Sequence, residues 1–417
     1  MAQDQPVKAL IITLTHEPAA AVYSINRLKP EMLCFALPES SKAIVESGVQ
    51  PKIEQMPRRW DWILLTDPHE FAGCHRAMSQ SLPDLLRTWQ VLPGELVVDL
   101  SNATPAMAAA LALAVLPWTS RIVSLVPTGQ GGEEAITLEG KRLNWMQTNP
   151  WDEMAAWPRR EGSELFNRGE FFAAAKIFRE IESRVSGSGK PLYRALADAA
   201  EGYGWWERFH YRQALDRLKG ALKALEMALL WGGPPGLKTA VADIKANVGF
   251  LERLVLDPAE VKEWLLADLL AHAARRLRVA RDPEGAMVTL LRALEACAQR
   301  QLFIKHRIKS WDVRPESLPP ALQETCRTCY LDDIDGKYKL PLPAQFRVLA
   351  GLGDQMGQAF LRTWPSMKPL LDAAAHAVLG HGVELVKAER VQQLYEVIVK
   401  LSGVAESSLP RFPSLHL

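Results

Sequence analysis

The chain has 417 residues, of which 48% are hydrophobic and 23% charged, and its formal net charge is +1. That length predicts two or three domains, and the near-zero charge excludes a generally basic coat for nucleic acid while leaving room for a local basic groove. Five scattered cysteines form no dense disulfide framework and fit a reducing cytoplasm.

The opening stretch, MAQDQPVKALIITLTHEP, carries no small-residue cleavage site and reads as a first strand. Short continuous apolar runs predict strands over Ala9–Thr13, Met32–Ala36, Trp62–Thr66, Leu96–Leu100 and Ile122–Val126, as parallel strands buried on both faces require. Helical stretches such as Ala19–Leu28 and Pro105–Leu116 lie between them. This alternation predicts an α/β, doubly wound, Rossmann-like parallel sheet. Ligands bind such sheets outside the carboxyl ends of the strands, so the loops beginning at Thr13, Thr66 and Asp99 are the ones to watch. Ala106 to Trp118 is the longest apolar stretch, interrupted by Pro117 and too short to span a membrane. No membrane partner is expected.

Residues Gly129–Gly140 read as a loop or hairpin. From Trp151 onward helical periodicity takes over and predicts an all-α region. Phe166–Phe178 and Phe209–Leu218 share a weak pattern of the tetratricopeptide type. Asp257-Pro258 with Glu260, and Asp282-Pro283 with Glu284, look like capped helix starts. Residues 307–345, rich in Pro, Asp and Lys, read as an excursion from the helical core. A closing pair of helices is expected, one running through Asp372–Leu379 and the next bearing Val391, Leu394, Ile398 and Leu401, with Gly380 and Gly382 as breakers between them.

Two loops have the composition of a ligand site. After the fourth strand comes DLSNATPAM, in which Ser101, Asn102, Ala103, Thr104, Pro105 and Met107 lead from a strand end into a helix. Free backbone N–H groups, hydroxyls and an amide there suit a phosphate or ribose; a plain strand–turn–helix fits as well. After Thr13, the loop Thr15-His16-Glu17-Pro18 lies at the same sheet edge.

These residues resemble the CARF sensor domains of CRISPR-associated proteins over roughly residues 6–130. Leu28-Lys29-Pro30 stands where that family has a lysine-proline element. Asp99, Thr104 and Met107 match its strand–loop–helix motif, while Pro105 and Asn102-Ala103 depart from it. The resemblance implies a cyclic oligoadenylate activator (tetra- or hexa-adenylate) bound across a homodimer interface by Thr13, Thr15, His16, Glu17, Pro18 and the Ser101–Met107 loop.

The later half resembles the HEPN ribonuclease domains that follow such sensors, whose mark is an arginine, four to six residues, then His-Gly. Here Ala375-His376-Ala377-Val378-Leu379-Gly380-His381-Gly382 places His381-Gly382 as expected, His376 in an asparagine slot and Ala375 in the arginine slot. Arg300 to His306 has the spacing in full but sits earlier, and His381 is preferred. The resemblance implies metal-independent cleavage of single-stranded RNA: the ribose 2′-hydroxyl attacks the adjacent phosphate, giving a cyclic phosphate and a 5′-hydroxyl. Histidine moves the protons, and arginine would neutralise the phosphorane. Ala375 therefore points to a divergent or inactive homologue, or to an inactivating Arg→Ala substitution. Away from the resemblance, His381 reads as a histidine at a helix end, favourable to the dipole.

The organisation expected is a sensing domain over 1–145, a helical linker region over 146–255 and a HEPN-like effector over 256–417, in a cytoplasmic homodimer with no metal or other cofactor. Two rivals remain: a non-catalytic sensor that recruits a partner, and a sensor that degrades its own cyclic ligand. Cys326-Arg327-Thr328-Cys329 lacks a second ligand pair for zinc. Trp205, Trp206, Phe209 and Tyr211 read as core rather than base-stacking, and Arg275, Arg276, Arg278 and Arg281 as a basic helix face.

Overall fold

A computed structural model describes residues 7–92, 94–119, 121–127, 135–234, 236–257 and 263–417. The chain divides into two compact units, Met1–Arg159 with Arg179–Tyr193, and Arg160–Phe178 with Arg194–Leu417.

The first unit is a seven-stranded sheet: β1 (Ala9–Thr13), β2 (Met32–Pro38), β3 (Arg59–Leu65), β4 (Leu96–Asp99), β5 (Arg121–Pro127), β6 (Ala135–Leu138) and β7 (Lys141–Thr148). Its spatial order is β3-β2-β1-β4-β5-β7-β6. The five strands expected from the sequence pair in parallel. The sheet is nevertheless mixed, because β7 runs antiparallel to both β5 and β6. β6 (AITL) is a short edge strand and β7 (KRLNWMQT), between β5 and β6, is mostly polar, so neither carries the continuous apolar run that betrays the others. Glu139 and Gly140 join them with φ of 49° and 78°, the left-handed pair that a two-residue hairpin demands. The predicted loop at 129–140 thus closes as a hairpin in its second half, while its GQGGEE part lies outside the described residues.

Pleating sends alternate β1 side chains to opposite faces. Ala9 and Ile11 join Met78, Met107 and Leu111 in one core. Leu10 and Ile12 join Ile25, Leu33 and Phe35 in the other. Each large apolar side chain so buried contributes about 1.5–3 kcal/mol. The helices on these faces are α1 (Pro18–Leu28), α2 (Phe71–Thr88) and α3 (Pro105–Val115).

Helices α4 (Ala156–Asn167) and α5 (Phe171–Arg184) follow; the division between the units falls within both stretches. The second unit continues with α6 (Lys190–Glu207), α7 (Tyr211–Leu230), α8 (Leu237–Val255), α9 (Glu263–Arg278), α10 (Pro283–His306), α11 (Pro320–Cys329), α12 (Leu342–Gly351), α13 (Gln355–Ala375) and α14 (Ala388–Ser402). Asp282 caps α10 by accepting from the Gly285 amide at 2.8 Å. Pro258 and Glu260 of the other expected helix start lie outside the described residues. Segment 307–345 is no excursion. Val313, Leu318, Cys326 and Leu340 enter the same core as Leu290, Phe346 and Leu394, and Val313 bridges to Tyr338. Its apolar residues are too irregularly spaced to show a period, yet they pack. Helix α13 ends at Ala375, four residues short of the expected Leu379, because His376 caps it and the chain turns there.

Candidate functional site

Reversal of strand order between β1 and β4 makes the crevice beyond their carboxyl ends the place where an α/β sheet binds ligands. The loops after Thr13 and Asp99 meet there. Thr13 is buried, and its hydroxyl donates to the Asp99 carbonyl at 3.3 Å. Thr15 Oγ1 donates to Asn102 Oδ1 at 2.8 Å, and the Asn102 amide donates to the Glu17 carbonyl. The two loops are therefore stitched together by side chains. Ser101 Oγ accepts from the Leu125 amide at 2.9 Å. Thr104 caps α3, accepting from the Met107 amide at 3.2 Å and donating to the Pro68 carbonyl, so the third predicted loop reaches the crevice as well. Pro105 occupies the first position of α3, and Met107 is buried beneath. Ala103 lies between, half-buried.

Pro18 opens α1, whose cap residue Glu17 makes no side-chain cap bond. The first-turn amides of α1 keep their capacity for an anion. His16 and Glu17 are exposed. Under the crevice Asp99 is fully buried. Desolvation drives its carboxyl well above the ordinary range, against hydrogen bonds from Ser101 and Ser24. Three contributors carry no pattern that the sequence reading used. Ser41 donates to the Thr15 carbonyl at 2.6 Å, Pro68 supplies its carbonyl, and Lys141 on β7 reaches Glu17 at 3.0 Å. Of these, only Pro68 was within reach of a sequence signal, because it lies in the loop after Thr66.

In the helical unit, Ala375, His376 and His381 share one exposed turn at the end of α13. The His381 amide donates to the Ala375 carbonyl at 2.8 Å, and the Glu384 amide to the His376 carbonyl at 3.0 Å. Gly382 permits this closure: a Cβ there would stand 2.0 Å from the His376 carbonyl oxygen. His376 Nδ1 lies 2.8 Å from the Asp372 carbonyl, which can only accept. That bond assigns the proton to Nδ1 and leaves Nε2 free to take one. The His381 ring makes no hydrogen bond among the described residues. No arginine occupies the turn.

Two family models match this chain, the Csm6 6H domain over residues 155–251 and the Csm6 HEPN domain over 259–404. The chain belongs to the Csm6-like CARF–HEPN family of CRISPR proteins. Csm6 of Enterococcus italicus, bound to cyclic hexa-2′-fluoro-hexa-dAMP, matches this Csm6-like chain at 11% identity with a TM-score of 0.59, covering 95% of this chain and 94% of its own. Can2 of Sulfobacillus thermosulfidooxidans, in complex with cyclic tetra-adenylate, matches at 11% identity and a TM-score of 0.25, covering 52% and 69%. No curated protein matches. A sheet unit followed by a helical region is thus the Csm6 arrangement.

The alternative candidate histidine of the Csm6-like chain, His306, sits elsewhere. His306 Nε2 lies 3.4 Å from Asp354 Oδ2, the oxygen that also accepts from Gln301 at 2.9 Å. Asp354 caps α13 through the Met356 amide. His306 therefore stands at the start of α13, and His381 lies past its end. Twenty-one helical residues separate them, about 31 Å of helix. Arg300 is turned toward Glu263, 3.9 Å away. Six positions along a helix leave Arg300 and His306 roughly 120° apart around its axis, so the spacing of the motif does not make a shared site.

Trp206 is fully buried, as read, while Phe209 is exposed. Arg275 belongs to no free basic face, since its Nε pairs with Glu207 at 2.5 Å. Of the CxxC pair, Cys326 is buried and Cys329 exposed. Among the described residues no helix is long and apolar enough to cross a membrane.

Proposed function

We propose that this protein is a cytoplasmic homodimer in which a cyclic oligoadenylate, bound by the β1 and β4 loops, governs a metal-independent single-strand endoribonuclease site at the His381 turn. The domains divide the work as 1–145 for sensing, 146–255 for linkage and 256–417 for the effector. Thr13, Thr15, His16, Glu17, Pro18 and Ser101 to Met107 hold the ligand. The Enterococcus italicus protein is bound to a cyclic hexanucleotide, so cyclic hexa-adenylate is the first ring size to test, with tetra-adenylate second.

The observation that carries the reading is the turn itself. Ala375, His376 and His381 are gathered on one exposed surface inside the segment similar to Csm6 HEPN. In the proposed reaction His376 Nε2 accepts the 2′-hydroxyl proton as the 2′-oxygen bonds to phosphorus. His381 returns a proton to the departing 5′-oxygen. Nothing on the turn neutralises the phosphorane, so the site runs slowly.

Ala375→Arg should raise ligand-dependent cleavage of labelled single-stranded RNA about 10²–10³-fold, the value of one electrostatic clamp, and adding His381→Ala should abolish the gain. If Ala375→Arg gains nothing and His381→Ala changes nothing, the nuclease reading fails. The exposed Ala375 supports a second reading, a sensor that recruits a partner without cutting. That protein would leave RNA and ligand intact while the ligand raised its melting temperature. Chromatography of the ligand afterwards separates both from a sensor that opens its own ring.

A further inference from the structure

The helical unit contains a cavity of about 540 Å³ that neither proposed site uses. It lies among the start of α5, the end of α6, the last turns of α9 and the C-terminal segment 409–414. No residue of the His381 turn lines it, and none of the sheet. Its volume is within the range of small-molecule sites, about 300–1,000 Å³.

Its walls are strongly cationic. Arg208, Arg275, Arg276, Arg278 and Arg411 face Glu207 and Glu406. Glu207 is already committed, to Arg275 at 2.5 Å and His272 at 3.1 Å. Arg276 pairs with Asp282 at 3.1 Å. Arg208, Arg278 and Arg411 are exposed, and among the described residues none has a carboxylate within 4.0 Å. Three unneutralised guanidinium groups on one cavity repel one another unless an anion joins them.

Two of them are held in place by aromatic rings. The Arg208 guanidinium lies 4.4 Å over Phe172, and that of Arg278 lies 5.1 Å over Tyr395. Stacking occupies the flat face of a guanidinium and leaves its N–H edge free for a forked acceptor. Phe412 adds a third ring, 3.9 Å under Arg275. It is held by the C-terminal segment, which Asn247 anchors at the Arg411 carbonyl and Asn167 at Leu415. Several forked donors favour a dianionic phosphate over a carboxylate. Rings and volume favour a planar group attached to it.

The geometry points to a binding site for a nucleotide-sized phosphomonoester in this cavity, separate from the sheet crevice and from the His381 turn. Its source is either a free mononucleotide or the 5′-phosphorylated end of an RNA.

Calorimetric titration of the full chain tests this with AMP, adenosine, inorganic phosphate and 5′-phosphorylated hexa-adenylate. AMP should bind saturably, and adenosine and phosphate each roughly tenfold more weakly or worse, a difference of about 1.4 kcal/mol. The double change Arg278→Gln with Arg411→Gln should weaken AMP at least tenfold without shifting the melting temperature. Arg208→Gln, just past the end of α6, should do the same and serves if the double variant misfolds. Asn102→Ala, in the sheet crevice, should leave AMP binding unchanged. Hexa-adenylate binding as tightly as AMP assigns the site to strand ends; its failure to bind assigns it to free nucleotides. The proposal is overturned if AMP gives no saturable binding at millimolar concentration. It is equally overturned if adenosine or phosphate matches AMP, or if Asn102→Ala rather than the arginine changes removes the binding.

Discussion

Two carboxyl groups largely shielded from solvent are handled in opposite ways, Asp99 in the sheet unit and Glu207 in the helical unit, where the fully buried Asp268 is pushed up by desolvation as Asp99 is. Asp99, beneath the sheet crevice, has hydroxyl and amide neighbours but, among the described residues, no cation within 4.0 Å, and burial drives it toward its neutral form. Glu207, in the helical unit, is flanked by Arg275 and His272. Burial would raise it too, yet the Arg275 charge and the hydrogen bonds from His272 and Arg275 outweigh desolvation and hold it at about 2. An acid pushed toward its protonated form, with an oxygen left unpartnered, suits the floor of a ligand crevice. A fully charged one, matched by buried partners, is a structural rivet. Buried charge marks function in neither case by itself; its partners decide.

The same change, carboxylate to amide, tests the comparison most severely at Glu207. Glu207→Gln removes the nearer carboxylate of Arg275, leaving only Asp268 at 3.8 Å, and should cost about 3 kcal/mol of unfolding free energy. The pH dependence has a definite sign. An acid whose folded value is depressed stabilises the fold above its unfolded value and loses that contribution as pH falls. For Glu207 the loss falls between about 4.5 and about 2. Melting curves of the two proteins should therefore converge as pH drops through that window.

Smaller effects are expected in the crevice. Asn102→Ala removes the two bonds that the Asn102 side chain makes between the β1 and β4 loops, leaving that of Thr13 to Asp99, and should cost about 1–3 kcal/mol, read by denaturant unfolding. It should also weaken cyclic hexa-adenylate binding. Thr104→Ala deletes the α3 cap and should cost about 1 kcal/mol. Asp99→Asn should be the mildest. Its folded carboxyl favours the proton, so the ionised form destabilises the fold as pH rises above the unfolded value. An amide keeps the acceptor that the Ser101 amide uses at 2.7 Å. The melting temperature at neutral pH should hold or rise slightly; a large fall would mean that Asp99 is ionised and paired, erasing the contrast with Glu207.

Much of this was legible in the sequence. Five buried parallel strands announce themselves as apolar runs, and the loops at Thr13 and Asp99 follow from where such strands end. His381 and Gly382 were legible from local order, since a turn closes over seven residues. Antiparallel β6 and β7 were not, because a four-residue edge strand and a mostly polar strand beside it carry no continuous apolar run. Nor was the core role of segment 307–345, whose apolar residues have no period.

Local pattern alone determined the α/β-then-α order, the helix starts at Pro18 and Pro105, and the Ala375 departure. These depend on neighbours within a few positions. Tertiary structure decided which loops share a crevice, that His306 and His381 stand at opposite ends of one helix, and that Arg275 belongs to Glu207 while Arg208, Arg278 and Arg411 line a common cavity. Charges far apart in sequence acquire their partners only when packing brings them within a few ångströms, and at that range desolvation and Coulomb attraction, not spacing along the chain, set what each one does.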